Sequence, residues 1–556
     1  MISSPPSGNC VTSSLTTLQT GGLESRNPPG RNFSERCELP YKDLNERDTR
    51  RSTALDESSF IERELKVEVP DDFVVPVFAG FEELSSSSVQ LHATYWDTAG
   101  LTLAGWGHTL RSRKAADGSE QGWTLKLAGD RDGGDVAVRR EINLGDPADT
   151  PPVAALDIVR GIVGHTPIIP VAVIDTVRNR RRLRHLASGT MIEVDDDAVT
   201  SQVAGAAGPS FREIEVEVLD GDIIVLKRAG KLLRQAGAAM PDPTPKLLRV
   251  LAEQHPTPVL PVRRKRPSTV ADLVRGAIAD GTRQLLIHDP AIRLGAGVED
   301  IHKARVATRR LRSDLQTLGP LCDEFRVEGL RRELAWLATM LGHVRDSDVL
   351  GLTLTAQIEE MSGLDPAAVT ALQDRLGKQR HSHLAVLLDV MRSSRYHGLV
   401  SDLTRLAHEP PLRRGVDPET PVERLAQKLT ARAFTRLERR IERLGEKPPV
   451  AALHDVRKAA KRARYAAELM TPLSQGRTHT LGRRLAKLQD QLGTTQDTIT
   501  MLAWLSELPI NTMVGSEAFA AGAFAQAFSQ DIGDTPTNWR RAWAKASQPK
   551  HLRWLK

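Results

Sequence analysis

Glu62, Glu64 and Lys66 stand two residues apart in the stretch SSFIERELKV. In a strand, side chains two apart leave on the same face, so two carboxylates and an ammonium would share one surface. Such a face suits either a solvated sheet edge or a site that holds a hard cation beside phosphate. The spacing recurs. Arg111 and Arg113 are two apart, as are Arg178 and Arg180, and Glu213, Glu215 and Glu217 alternate within FREIEVEVL. Lys126 lies between Leu125 and Leu127, and Glu141 follows Arg139 and Arg140. Several strands therefore read with one apolar face and one face carrying both signs. An open sheet would turn that charged face to water. A closed antiparallel barrel, apolar and covered outside, would make it a lumen in which carboxylates share a divalent cation and Arg and Lys neutralise phosphate oxygens. Such a lumen is shaped for a short linear polyphosphate.

A second constellation lies in IHKARVATRRLRSDL and LHDVRKAAKRARYAAEL. His302, Arg305, Arg309 and Arg312 in the first match His454, Arg457, Lys461 and Arg464 in the second. At about 100° per residue each set falls within an arc of roughly 80° on a helix. Further on, Leu334, Leu337, Leu341, Gly342 and Asp346 repeat 151 residues later as Leu485, Leu488, Leu492, Gly493 and Asp497, while the histidines repeat after 152. The duplication predicts two similar helical bundles about a pseudo-twofold axis. One basic stripe alone is ordinarily a solvated face; two that the pseudo-symmetry brings together would form a positive groove for a flexible polyanion.

The elements that must position these groups divide the chain. Its 556 residues exceed what one core serves, so two or more domains are expected. Residues 1–57 are rich in Ser, Pro, Gly, Asn and charge and read as a disordered extension. Residues 58–252 alternate in short runs between Gly, Asp and Pro turns, with one helical segment expected at Ile223–Ala236. A basic, Pro-containing linker follows at 253–267, then a helical domain at 268–510 and a helical tail at 511–556. In the tail, Trp539, Trp543 and Trp554 among basic residues are expected to pack a terminal helix on the bundle. The net charge of +6 hides an asymmetry: residues 1–260 carry 29 Lys and Arg against 37 Asp and Glu (−8), and residues 261–556 carry 47 against 33 (+14). That balance suggests a carboxylate cluster in one half and a polyanion-binding surface in the other. Cys10, Cys37 and Cys322 are too scattered for a disulfide framework or a zinc site. No apolar run reaches the ~20 residues of a membrane span, and the first residues lack an export signal, so a cytoplasmic protein with no membrane partner is expected.

Glu62-Arg63-Glu64-Leu65-Lys66 resembles the ExExK signature of the CYTH, or triphosphate tunnel metalloenzyme, family. Arg111-Ser112-Arg113, the lysine of WTLKL, Glu141 after two arginines, the Arg178 region, the acidic VDDD, the EIEVE strand and the Lys246 and Arg249 of TPKLLRVL follow in the family's order. The resemblance implies an eight-stranded tunnel barrel, hence a multidomain α+β protein with an antiparallel barrel first and an all-α duplicated bundle second. It implies Mg²⁺ or Mn²⁺ held by Glu62, Glu64, Glu213 and Glu215, with Glu217, Glu141 and either Asp196 or Asp197 assisting, since VDDD aligns in two registers. Lys66, Arg111, Arg113, Lys126, Arg178, Arg180, Lys246 and Arg249 would bind phosphates. Glu62, Glu64, Lys66, Glu213 and Glu215 would carry the phosphoryl transfer to water.

The helical half resembles the CHAD family, helical domains that often follow a CYTH domain and bind inorganic polyphosphate. The resemblance implies polyphosphate contacts at the two His/Arg stripes and association with polyphosphate granules. Hydrolysis of inorganic triphosphate or short polyphosphate is the expected activity, with nucleic acid not expected as a partner. A non-catalytic polyphosphate binder, an adenylate cyclase, and a thiamine or RNA 5′-triphosphatase are the alternatives.

Overall fold

Alternation of inward and outward side chains builds the first half of the chain. The computed structural model describes residues 59–129, 136–251, 254, 256–295, 297–446, 448–474, 476–532 and 538–555; the expected extension at 1–57 lies outside them. Among the described residues nine strands form: β1 (Ser59–Val69), β2 (Phe81–Asp97), β3 (Thr109–Ala115), β4 (Gly122–Ala128), β5 (Ala137–Asn143), β6 (Ile169–His185), β7 (Met191–Val203), β8 (Ala206–Ala207) and β9 (Phe211–Asp220). Their order is β6-β2-β3-β4-β5-β1-β9-β7, and β7 pairs back onto β6, closing an eight-stranded antiparallel barrel to which β8 adds a short lip. Closure follows from register, with Arg178 opposite Asp197 across β6 and β7 and Lys66 opposite Glu215 across β1 and β9.

Helices cover the outside. Short α1 (Thr102–Gly105) links β2 to β3, and α2 (Val153–Val163) links β5 to β6. The sequence reading gave no helix at α2, although Pro151 and Pro152 precede a run with helical spacing. Its Ala155, Ile158, Val159 and Ile162 lie on Leu110, Trp123, Leu125 and Ile142, the outward faces of β3, β4 and β5. Helix α3 (Ile224–Gln235) occupies the segment expected to be helical and buries Leu226, Ala229 and Leu233 against Leu65, Val67, Ile214 and Val216. Gly230 permits this contact, because a Cβ there would meet Leu65 at 2.8 Å. Helix α4 (Lys246–Val250) does something different. Its Leu247 and Val250, with Leu251, pack on Ala93, Ala172, Ile174 and Val199, which point into the barrel, and with Leu101 and Ala104 they fill one end of the lumen.

The second half is helical: α5 (Val270–Leu286), α6 (Asp289–Arg293), α7 (Val298–Leu318), α8 (Glu324–Glu360), α9 (Pro366–Arg392), α10 (Ser394–His408), α11 (Glu423–Glu442), α12 (Val450–Leu469), α13 (Arg477–Gln491), α14 (Thr494–Ser506), α15 (Gly515–Ile532), α16 (Asn538–Ala546) and α17 (Pro549–Leu552). The duplication appears as α5 with α11, α7 with α12, α8 with α13 and α14 together, and α9 with α15. Helix α8 runs unbroken for 37 residues, whereas its counterpart is interrupted at Leu492-Gly493. Gly493 is followed by Thr494 and Thr495, three weak helix formers in a row. Helices α7 and α12, which carry the two basic stripes, pack against each other. Trp539 is buried in the second bundle, Trp543 stacks on Phe434 at 5.5 Å and Trp554 is buried in the first, so these aromatic residues serve packing.

The connection between the halves is strapped down: Thr257 N–H donates to Gly100 O (3.1 Å), His408 Nε2 lies 3.1 Å from Val259 O, Leu260 is buried and Arg263 pairs with Asp280 at 2.7 Å. An ion cluster, buried at Asp289 and Arg293 and exposed at Arg392, crosses the seam. Asp157 on α2 meets Arg293 (3.5 Å) and Arg392 (3.0 Å), and Asp289 holds both Arg293 (2.7 Å) and the Tyr396 hydroxyl (2.5 Å).

Candidate active site

The barrel order sorts the charges into two arcs. Strands β5, β1, β9 and β7 bring Glu141, Glu62, Glu64, Glu213, Glu215, Glu217, Asp195 and Asp197 to the lumen; β6, β2, β3 and β4 bring Arg178, Arg180, Tyr95, Arg111, Arg113 and Lys126. Glu62, Glu64 and Lys66 are 6%, 3% and 6% exposed, so the opening triplet faces the interior.

Ion pairs lace the arcs together. Lys126 Nζ lies 2.7 Å from both carboxylate oxygens of Glu62 and 2.8 Å from Glu141. Lys66 bridges Glu64 (3.2 Å) and Glu215. Arg178 donates to Asp197 through two nitrogens (2.8 and 2.6 Å) and reaches Asp195 (2.6 Å) and Glu215 (2.9 Å). Arg180 meets Asp195, Glu193 and Glu120, and Arg249 pairs with Glu213 and Glu68 while lying 4.0 Å over the Phe211 ring. Although burial alone would disfavour its charge, Lys246 is held well above its ordinary pKa by Asp197, Glu213 and Glu215, and Glu215 is held well below its own against the same burial by Lys246, Lys66 and Arg178.

Two places in the lumen are incompletely satisfied, although Lys66 pairs with Glu64 and Glu120 with Arg113. Glu217 stands opposite Glu64 across β1 and β9. Burial, then Glu62 and Glu64, push its pKa up to about 8 despite Lys126, and Glu64 Oε1 is buried with no hydrogen-bond donor and only Arg139 at 3.8 Å. On the facing arc burial, then Arg111 and Arg178, push Arg113 down to about 10 despite Glu120, and the Nε atoms of Arg111 and Arg113 are buried without partners. The first place calls for a cation and the second for an anion.

Asp197, Glu213 and Glu215 bring carboxylate oxygens within 4.8 Å of one another, a grouping that can hold a metal. Lys246 Nζ already stands 2.8, 2.8 and 2.7 Å from these three, so their charge is met by the chain's own ammonium. In the set Glu62, Glu64 and Glu217, Lys126 holds Glu62 and Lys66 holds one oxygen of Glu64, which leaves Glu217 and Glu64 Oε1 less fully compensated; the set offers only carboxylate oxygen, the donor chemistry of Mg²⁺ or Mn²⁺ rather than of a thiolate- or imidazole-seeking ion.

Of the two registers that VDDD allowed, the barrel takes the one with Asp197 inside and fully buried. Asp196 is corrected: it points outward and pairs with Arg212 at 2.9 Å, because alternation sends it to the face opposite its neighbours. Asp195 and Glu193, which share the inner face with Asp197, escaped the sequence reading although period two places them there; so did Arg139, two residues before Glu141. Glu120 comes from the β3–β4 turn and Tyr95 from β2, and no motif marks either. Although burial would raise the Tyr95 pKa, Arg111 and Arg113 hold it below its ordinary value.

In the helical half, His302, Arg305, Arg309 and Arg312 line α7 and are all half-buried. Arg305, Arg309 and Arg312 face a cleft of about 310 Å³ whose far wall is Ala335, Ala338, Thr339, Gly342, His343 and Asp346 of α8. Arg305 lies 3.5 Å from where a Gly342 Cβ would stand and pairs with Asp346 at 3.2 Å; in the second copy an Arg457 nitrogen lies 2.9 Å from the corresponding place on Gly493. Gly493 thus clears room for a guanidinium, whereas a Cβ at Gly342 would make only ordinary contact with Arg305. The stripes meet: burial, then Arg305 and later Arg457, lower the Arg309 pKa, and burial with Arg345 lowers that of His302. Nε of Arg312, Arg457 and Arg464 and Nη1 of Arg345 are buried without partners. His454 and Lys461 are half-buried on α12.

The CYTH domain model matches residues 61–248 and the CHAD domain model residues 276–506. Two uncharacterized proteins of Mycobacterium tuberculosis, from strains CDC 1551 and H37Rv, are each 31% identical over 500 residues, covering 84% of this chain and 92% of theirs. Among solved structures, PptA from Streptomyces chartreusis is 24% identical (TM-score 0.40, 50% of this chain and 100% of that one). The CHAD domain from the plant Ricinus communis is 20% identical (TM-score 0.42, 53% and 96%), and a putative adenylyl cyclase from Hippeastrum, described as having a dominant triphosphatase activity, is 17% identical (TM-score 0.24, 35% and 97%).

Proposed function

The chain belongs to the family of proteins that join a CYTH domain to a CHAD domain, and from that premise we propose that it hydrolyses inorganic triphosphate or short polyphosphate in the barrel and captures polyphosphate on the helical half. The observation that supports this most is the pair of incompletely satisfied groups on opposite walls of one lumen, the carboxylates Glu217 and Glu64 Oε1 on one side and the Nε atoms of Arg111 and Arg113 on the other. A linear phosphate chain with a divalent cation satisfies both at once; neither alone does.

Glu62, Glu64 and Glu217 would hold Mg²⁺ or Mn²⁺, which supplies charge neutralisation of the phosphate oxygens. Arg111 and Arg113 donate to the phosphate oxygens through N–H groups that lack other acceptors, and Lys66, Lys126, Arg178, Arg180 and Lys246 surround the chain with further positive charge. Arg249 and Asp197 fix Glu213 and Lys246 behind that shell. Hydrolysis joins a water oxygen to the terminal phosphorus, breaks its P–O bond to the remaining phosphate and releases a proton to solvent. Positioning and electrostatics carry the rate, with no covalent enzyme intermediate.

Phosphate release from triphosphate, long polyphosphate, ATP, thiamine triphosphate and 5′-triphosphorylated RNA, with Mg²⁺ or Mn²⁺ and an EDTA control, tests the reading. Metal-dependent release from triphosphate is expected, and Glu64→Ala should lower it about 10²–10³-fold with polyphosphate binding intact. Undiminished turnover in Glu64→Ala removes the site assignment. Cyclic AMP from ATP points to a cyclase, and tight polyphosphate binding without release from any substrate points to a binding protein.

A further inference from the structure

The duplicated helical half is not symmetric where its two copies meet. Glu468 on α12 lies 3.2 Å from Arg310 on α7 and 3.6 Å from Arg464 on its own helix, and packs against Gly482 of α13. This side of the seam is neutralised. Applying the 152-residue offset, the other side holds Arg462 for Arg310, Arg312 for Arg464 and Gln316 for Glu468; with the 151-residue offset of the following helix, Arg331 replaces Gly482. The acid has become an amide and a glycine has become an arginine.

The consequence is visible in the surroundings. Burial, then Arg440, Arg331, Arg436 and Arg312, lower the pKa of Arg462, and burial with Arg331 lowers that of Arg312. Among the described residues no carboxylate pairs with Arg462 or Arg312; Arg331 has Glu328, and the Nε atoms of Arg312 and Arg331 are buried without partners. Five guanidiniums from α7, α8, α11 and α12 thus lie near enough to repel one another, those of Arg312 and Arg331 half-buried and those of Arg436, Arg440 and Arg462 exposed, with Glu328 the acid paired to Arg331 beside them. Arg312 also lines the cleft with Arg305 and Arg309, so the cluster continues that cleft.

We propose that Arg331, Arg440 and Arg462, continuing from Arg312 at the end of the cleft, form a second, one-sided binding site for inorganic polyphosphate, reached only by chains long enough to run past Arg305 and Arg309. The proposal rests on the reading that the helical half captures polyphosphate. It adds a direction to that capture, because the pseudo-equivalent place in the other copy is closed by Glu468. Capture then has a chain-length threshold: short chains engage the cleft and long chains gain the extra arginines.

The test compares full-length protein with Arg331→Gln/Arg462→Gln, with Gln316→Glu, which restores the acid found at the symmetry-related place, and with Arg309→Ala, using triphosphate and long polyphosphate over a salt series. The double variant should bind long chains about tenfold more weakly, with a salt slope shallower by roughly one to two. Gln316→Glu should weaken the same binding several-fold while its melting temperature stays level or rises, which excludes a folding defect. Triphosphate hydrolysis should not change in either. If Arg309→Ala weakens long-chain binding while both seam variants leave affinity and salt slope unchanged, the second site is wrong and the capture reading stands. If all three bind as the parent does, or the parent captures no polyphosphate, the capture reading fails with it.

Discussion

Asp196 and Asp197 are adjacent in the chain and lie on opposite sides of the barrel wall. Asp197→Asn removes a buried partner of both Arg178 and Lys246 and should strongly depress phosphate release, whereas Asp196→Ala loses one partly exposed ion pair with Arg212 and should leave turnover unchanged and stability within about 1 kcal/mol. Equal loss in both would refute the register assignment. Asp314 offers a test through pH. It is buried on α7, and burial, opposed by Arg310 and Arg263, pushes its pKa up to about 7. A carboxyl whose folded value lies above the unfolded ~3.9 favours folding fully below that lower value and loses the contribution as pH rises through 7. The stability advantage of Asp314→Asn over the parent should therefore grow between pH ~4 and 7 in denaturant titrations; a difference independent of pH would exclude the assignment. At this scale the sequence was readable where period two applied, as in Glu62, Glu64 and Lys66. Glu120 and Tyr95 were not, because a turn residue and an aromatic acquire meaning only from what the barrel brings opposite them.

Helix α2 shows what element-level reading misses. It is eleven residues long inside a strand-rich region, and its role is to face two ways: Ile158 and Ile162 cover the barrel, while Gly161 abuts the helical half. A Cβ at Gly161 would lie 2.3 Å from the Asp289 carboxylate, so Gly161→Ala should cost about 1–3 kcal/mol by forcing the Asp289–Arg293–Tyr396 cluster apart. A thermal melt reads this loss directly, and an unchanged midpoint would show that the seam is loose. The duplicated helices were legible from Leu and Gly spacing alone. Their difference was not: the same Leu-Gly pair sits inside continuous α8 and at the α13–α14 break, where the Thr494 and Thr495 that follow tip the balance.

For the whole molecule, the sequence suggested two domains and a linker, and the described residues of that connection are tied by contacts to both halves. Trp106 of the barrel half packs in the core of the helical half, and Leu294 of the helical half packs under α2. Denaturant unfolding followed by Trp fluorescence and by far-UV signal should therefore give coincident transitions; well-separated midpoints would show independently folding halves. The apolar end of the lumen built by α4 has a consequence for traffic. A chamber filled at one end has a single door. On the reading proposed above, a polymer would present its terminus there and be trimmed from the end, and the detached fragment would leave by the way it came.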